Sequence, residues 1–240
     1  MRRILITNDD GIDSSGLLRL AQVAQAYGEV WIIAPDGQRS AASHSITLHG
    51  HIDLMPHPYP LPGVRAYSCS GTPADCVRVA CRGALPSKPD LVLCGINYGY
   101  NAGTDLQYSA TAGAAFEGAF QGVHSIALSE RADADHAVTD AYLDEALRYA
   151  IGLETGPRDI VNVNFPGGPL EDCRGIVTSR RVSLGSFFDD DYDRILDLPG
   201  GGFRLKVAGK PMREGEEDTD IRAILDGCVS IGFVKNISTP

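Results

Sequence analysis

The chain has 240 residues, 43% hydrophobic and 22% charged, with a formal net charge of −10. Such a length buries on the order of 70–75% of its unfolded surface without staples, and the composition excludes collagenous and wholly disordered classes. The acidic surplus argues against binding duplex nucleic acid, which needs a basic face, and an anionic substrate would require a local cation to reverse the field.

Met1, Arg2 and Arg3 resemble the start of a basic leader, but the apolar stretch behind them ends at Ile6, too short for a signal h-region. No uncharged run is long enough to span a bilayer, so a cytoplasmic protein without a membrane partner is expected. The six cysteines form no CxxC pair, and in a large, well-cored chain they read as buried reduced thiols.

Short apolar runs alternate with longer periodic segments, and Gly, Pro, Ser and Asp fill the connections, the pattern of repeated β-α units and a parallel sheet. The first strand spans Arg3 to Thr7, followed by a helix from Ser15 to Tyr27 with Leu17, Leu18, Leu20, Ala21 and Ala24 spaced to face a sheet. "EVWIIAPD" is a second strand and "VRAYSCS" another. "SGTPADCVRVACRGAL" reads as a helix with Thr72 at the N-cap, Pro73 at the first position and Asp75 at the third. "DLVLCGI" and "SIALS" are buried strands separated by a Gly/Ala-rich helix from Thr111 to Gly122. An amphipathic helix from Thr139 to Leu153, capped by Thr139, precedes the strand "DIVNVNFP". Beyond residue 166, "GIVTSRRVSL" and "GFRLKVAG" read as antiparallel strands that leave the main sheet, with the turn-rich acidic "FFDDDYD" between them. "DTDIRAILDGCVSIGFV" returns to helix and strand.

Three polar clusters follow strands: Asn8, Asp9, Asp10 and Gly11; Asp36, Gly37, Arg39 and Ser40; and Asn97, Tyr98, Gly99 and Asn101. Ligands of open parallel sheets bind outside the carboxyl ends of the strands, so all three converge on one rim. Adjacent carboxylates at 4 Å repel by about 4 kcal/mol in an effective dielectric near 20. A divalent cation between Asp9 and Asp10 would offset that repulsion, and carboxylate, hydroxyl and amide oxygens suit Mg²⁺ or Mn²⁺. The competing reading is local: Asp and Asn after a strand form Asx turns or cap the next helix. Ser109 and Thr111 stand at a helix N-terminus, where hydroxyls, free N–H groups and the dipole would hold a phosphoryl group, or where they simply cap the helix.

Other chemistries lose their support. "DDGIDSSG" is not GxGxxG, and the chain has neither a Walker A sequence nor a GxSxG elbow. His44, His49, His51 and His57 invite a zinc site, but no nearby Cys or Glu completes it and four prolines follow between 56 and 62. A solvated hairpin or mouth loop is the better reading there, and a solvated loop for "DDD" at 189 to 191.

"ILITNDDGIDSSGL", "APDGQRSAASHSITL", "SGTPADCV", "GINYGYNAGTDLQYSATAGAAFEG" and "VNVNFP" together resemble, in order, the blocks of the SurE family of metal-dependent 5'/3'-nucleotidases. The resemblance implies that Asp9, Asp10, Ser40 and Asn97 hold one divalent cation per subunit, and that Ser109 and Thr111 lie at the phosphate; Asn101, in the cluster after "DLVLCGI", is a further candidate for phosphate or substrate contact. The family usually carries Gly where this chain has Ala41, and Gly-Thr-Val where it has Ala110, Thr111 and Ala112. In the last third only "DTD" at 218 to 220 and "GCVSI" at 227 to 231 match; "GFVKN" replaces the usual ending.

The expected fold is therefore a three-layer α/β/α, Rossmann-like, mostly parallel sheet. One domain over 1–240 would comprise a core over 1–166, a protruding antiparallel hairpin over about 174–210, and a C-terminal helix and strand over 218–240. The expected function is metal-dependent hydrolysis of nucleoside monophosphates by a homodimer or homotetramer. The alternatives are a nucleotide-binding regulatory module of low turnover and a phosphatase acting on polyphosphate or sugar phosphates.

Overall fold

A computed structural model describes residues 1–132, 135–212 and 214–235. The expected end of the chain, from Asn236 onward, lies outside the described residues.

The apolar run Arg3–Thr7 (β1) pairs in parallel with Glu29–Pro35 (β2) on one side and with Leu91–Tyr98 (β5) on the other. With Leu54–His57 (β3), Arg65–Cys69 (β4), His124–Glu130 (β6), Asp159–Phe165 (β7), Ile176–Val177 (β8) and Val229–Lys235 (β13), these strands form one sheet in the order β3-β4-β2-β1-β5-β6-β7-β13-β8. The six strands from β4 to β7 run parallel, whereas β3 and β13 enter antiparallel. Strand order reverses between β1 and β5, which makes the gap beyond their carboxyl ends the switch point of the sheet.

Helices cover both faces. Ser15–Ala24 (α1) and Ala137–Ile151 (α4) bury Leu17, Leu20, Leu143 and Leu147 against Ile4, Ile6 and Leu93. Pro73–Val79 (α2) and Ala110–Phe120 (α3) pack Val77, Ala115 and Phe116 against Leu5, Ile33 and Val92 on the other face. Each fully buried Leu or Ile contributes about 1.5–3 kcal/mol. Successive residues of a strand serve opposite layers, so Leu5 belongs to one core and Ile4 and Ile6 to the other.

The capping box of α2 forms as expected: Thr72 Oγ1 accepts from Asp75 N–H at 3.1 Å, and the Asp75 carboxylate accepts from Thr72 N–H at 3.0 Å. Several helix ends differ from expectation, two of them for a visible local reason. The first helix stops at Ala24 rather than Tyr27, because the chain turns to bring Gly28 against the Arg2 carbonyl, where a Cβ would lie 2.3 Å from the oxygen. The fourth is capped by His136 in left-handed conformation (φ 66°) and not by Thr139, which is buried in its first turn. Asp135 Oδ1 takes the Ala137 N–H there instead, at 3.1 Å.

The last third departs most from the sequence reading. Only Ile176–Val177 of "GIVTSRRVSL" is strand, and it joins the main sheet beside β13. The segment behind it crosses β13 so closely that a Cβ on Gly232 would lie 2.0 Å from the Arg180 carbonyl oxygen. The protruding hairpin is instead Tyr192–Asp197 (β10) against Phe203–Val207 (β11), extended at its base by Phe188–Asp189 (β9) and Lys210–Pro211 (β12). Two of these strands come from the stretch whose acids read as turn. Asp220–Leu225 (α5) packs Ile221 and Ile224 on Ala102.

Gly16 offers a direct test of the packing between α1 and β5. A Cβ there would sit 2.3 Å from the Ile96 carbonyl oxygen, a contact that only backbone displacement relieves. Gly16→Ala is expected to cost about 3 kcal/mol, read as a fall in the urea midpoint with unchanged slope.

Candidate metal and phosphate site

The loop after β1 separates the local reading from the functional one. Asn8 does form the turn: its Nδ2 donates to Gly11 O at 2.9 Å and to Ser14 Oγ at 2.7 Å. Ser14 then caps α1 by accepting from Leu17 N–H at 3.3 Å. Gly11, at φ 99°, carries the loop past Gly37, where a Cβ would touch backbone at 3.4 Å. Turn and cap are thus completed by Asn8, Gly11 and Ser14, without the carboxylates of Asp9 and Asp10.

Those carboxylates turn to the rim. Asp9 is 3% exposed, and its Oδ1 accepts from Thr111 Oγ1 at 2.8 Å. Asp10 Oδ2 accepts from Tyr98 N–H at 3.1 Å, at the end of β5. Burial drives the Asp9 carboxyl up to about 6; the Thr111 hydrogen bond opposes the rise and the neighbouring Asp10 charge adds to it. Asp10 is raised too, by burial first, against the Tyr98 hydrogen bond and with help from the Glu130 charge. Among the described residues no Lys or Arg forms an ion pair with either carboxylate. One buried and one half-buried acid lacking a cationic partner are suited to hold a divalent ion.

The loop after β2 is docked on the same spot. Arg39 N–H donates to the Asp9 carbonyl at 2.7 Å, and Arg39 Nη2 to Asp36 Oδ1 at 2.9 Å. Ser40 follows with an exposed hydroxyl that accepts from Gln38 Nε2 at 3.0 Å. Ala41 sits at φ 56°, in the left-handed region, which costs a residue with a Cβ about 1–2 kcal/mol. Ala41→Gly is accordingly expected to stabilise the chain by about 1 kcal/mol in thermal or urea unfolding. Asn97, half-buried at the end of β5, donates from Nδ2 to Gly99 O at 2.8 Å, leaving its amide oxygen to the rim.

Residues expected at the phosphate fall into different roles. Ser109 caps α3, its Oγ accepting from Ala112 N–H at 3.0 Å. Thr111 is fully buried and directs its hydroxyl to Asp9. Asn101 is tied into a buried amide cluster: its Nδ2 donates to Ser129 Oγ at 2.8 Å, its N–H to Asn164 Oδ1 at 3.0 Å, and its carbonyl accepts from Asn162 at 2.8 Å and Asn164 at 3.0 Å. This fastens the loop after β5 to β6 and β7. Sequence reading passed over Asn162 and Asn164, although two amides inside the otherwise apolar "DIVNVNFP" were a visible signal of buried hydrogen bonding. It also passed over Glu130, buried between Arg19 and His136.

The histidines do not gather. His44 meets Glu117 at 3.1 Å, His57 meets Asp13 at 3.1 Å, and His49 and His51 are exposed before the β3–β4 hairpin. Among the described residues no three His, Cys, Asp or Glu side chains are grouped to hold a metal; the donor set at the rim has only two carboxylates beside neutral oxygens. No helix among the described residues is long and apolar enough to cross a membrane.

Comparison with known proteins bears on this geometry. The family model described as "Survival protein SurE" matches residues 4–184. The chain is 41% identical over 239 residues to a protein of Gemmatimonas aurantiaca named 5'-nucleotidase SurE, covering 95% of this chain and 90% of that one. It is 40% identical over 240 residues to the protein of that name from Erythrobacter litoralis, covering 95% and 91%. The crystal structure of the SurE protein from Aquifex aeolicus superposes with a TM-score of 0.81 at 30% identity, covering 97% of this chain and 93% of that one.

Proposed function

The chain belongs to the SurE family, and from that premise we propose that it is a 5'-nucleotidase, releasing phosphate from nucleoside monophosphates with one divalent cation, Mg²⁺ or Mn²⁺, per subunit. The observation that carries the metal is the Asp9–Asp10 pair, Asp9 buried and Asp10 half-buried, with both carboxyl pKa values raised and no cation beside it among the described residues. Asp9, Asp10, Ser40 and Asn97 would hold the ion, which supplies a Lewis acid for a phosphoryl oxygen and acidifies water.

The chain's own groups do the rest. Thr111 fixes the Asp9 rotamer through its hydroxyl and is a positioning residue. The first-turn N–H groups of α3 other than that of Ala112, which the Ser109 cap takes, and the Ser109 hydroxyl as donor receive the phosphate oxygens, aided by the helix dipole. The Asn101 cluster holds the loop of Asn97 and Gly99 at a fixed height above the sheet. With a formal net charge of −10 over the chain, affinity for an anion would depend on the bound ion, and duplex nucleic acid is not a partner.

Phosphate release from a panel of nucleoside monophosphates with Mn²⁺, Mg²⁺ or EDTA tests this. Turnover with a metal and its loss in EDTA is the expected result; full turnover in EDTA would sink the metal, and no release from any nucleotide the activity.

Assembly belongs to the same reading. We infer a homodimer, of which a homotetramer would be a pair, from the hairpin, where Phe203, Leu205 and Val207 are 51, 47 and 66% exposed, and from Leu184 ahead of it, 83% exposed. Ile176 and Val182 do not join that face; they pack on the chain's own cores. A cytoplasmic location fits six cysteines without a disulfide.

A further inference from the structure

Helix α3 carries a second recess beside the rim. Ser109, Gly113, Phe116 and Phe120 are spaced four, three and four residues apart and share one stripe of the helix; with His44 and Gln107 they line a cleft of about 370 Å³. That volume is in the lower range of small-ligand sites. The strap that closes one side is stitched down: Ser43 Oγ donates to Gln107 O at 2.6 Å and Ser43 N–H to Tyr108 O at 3.1 Å. Its backbone lies so near α3 that a Cβ on Gly113 would come within 2.5 Å of Ser43 O. The same strap begins at Ser40, and the helix stripe begins at Ser109. The cleft therefore starts at Ser109, assigned above to the phosphate, and its strap leads back to Ser40, assigned to the metal.

Its far end is aromatic and pre-set. His44 Nε2 lies 3.1 Å from Glu117 Oε2, and its ring is tilted 40° to Phe120 with centroids 5.3 Å apart. Glu117 is buried, receives Gln121 Nε2 at 2.7 Å and stands 3.5 Å from Arg78, so the His44 ring has one fixed setting. Phe120 remains 38% exposed. Among the described residues no Lys or Arg lines the recess, which suits a flat, uncharged group better than a second anion.

We propose that this cleft is the nucleoside subsite, with the His44 and Phe120 rings packing against the base of a nucleotide whose phosphate lies at Ser109. The assignment rests on the nucleotidase reading. Base–aromatic stacking is removable by alanine, and the expected effect is on preference: kcat/KM for adenosine 5'-monophosphate relative to ribose 5-phosphate falls about tenfold in Phe120→Ala and in His44→Ala, through KM. Phe120→Trp keeps a stacking face and restores the ratio. A ratio within twofold of the parent in both alanine variants overturns the subsite, as does a parallel loss on both substrates, which would make the rings merely structural. Should the parent hydrolyse neither compound, the nucleotidase reading falls, and saturation-transfer NMR still decides the cleft. Transfer to the base protons of adenosine 5'-monophosphate that Phe120→Ala abolishes supports it; transfer unchanged by the substitution, or none, overturns it.

Discussion

Asp9→Asn and Asp10→Asn are each expected to reduce nucleotide hydrolysis about a thousandfold while leaving the fold intact. Loss of a metal-held charge removes several kcal/mol of transition-state stabilisation, and about 4 kcal/mol corresponds to that factor. Titration calorimetry with Mn²⁺ should show the binding isotherm flatten in both variants. Stability in EDTA should move the other way. The Asp9 carboxyl is raised to about 6 in the fold from 3.8, so its contribution is fully present below about pH 4, where folded and unfolded chains are both protonated. It is lost as pH rises through about 6, because the unfolded chain ionises first. Above that window the metal-free parent carries a penalty of about 3 kcal/mol, from about two pH units at 1.36 kcal/mol each. Asp9→Asn lacks the slope and should be the more stable protein at pH 7 in EDTA, with little difference at pH 4. Urea unfolding at the two pH values checks this. A parent that gains on the variant as pH rises in EDTA contradicts the unpaired buried carboxylate.

Excising residues 189–210 and closing the gap with a short Gly-Ser turn should convert a dimer, sedimenting at twice 25.6 kDa, into a soluble monomer. The cut lies outside the main sheet: Phe187 stays stacked on Tyr100 at 4.8 Å between centroids, and the base bond from Met212 N–H to Phe187 O at 2.8 Å remains. A two-stranded hairpin is marginal in water by itself. This one exposes Ile195 and Leu196 as well as Phe203, Leu205 and Val207, an apolar surface of the kind that marks a partner site. Leu205→Asp should weaken the dimer at micromolar concentration without changing the unfolding slope. An intact chain that sediments as a monomer, with the excised chain equally soluble, removes the dimer and favours a hairpin that folds back over its own rim.

The sequence determined by itself the elements whose signal is local. Strand Arg3–Thr7 and the Thr72 capping box follow from apolar period, a cap residue and a proline within a few positions. Parallel pairing followed from alternating strand and helix, and the rim location of Asp9, Asp10 and Ser40 from standing beyond a strand, while Asn97 lies at the end of β5 itself, Leu91–Tyr98. Contacts between segments far apart in the chain needed the tertiary structure. Thr111 reads equally well as cap or ligand until α3 is laid beside β1 and its hydroxyl reaches Asp9, 102 residues away. His44 reads as a loop histidine until Glu117, 73 residues on, fixes its ring. "FFDDDYD" reads as a turn because acids disfavour strands in general, yet on a hairpin with both faces exposed they cost no burial. Local chemistry set what each segment could become; long-range packing decided which side chains meet, and so which acids lie buried without a cation.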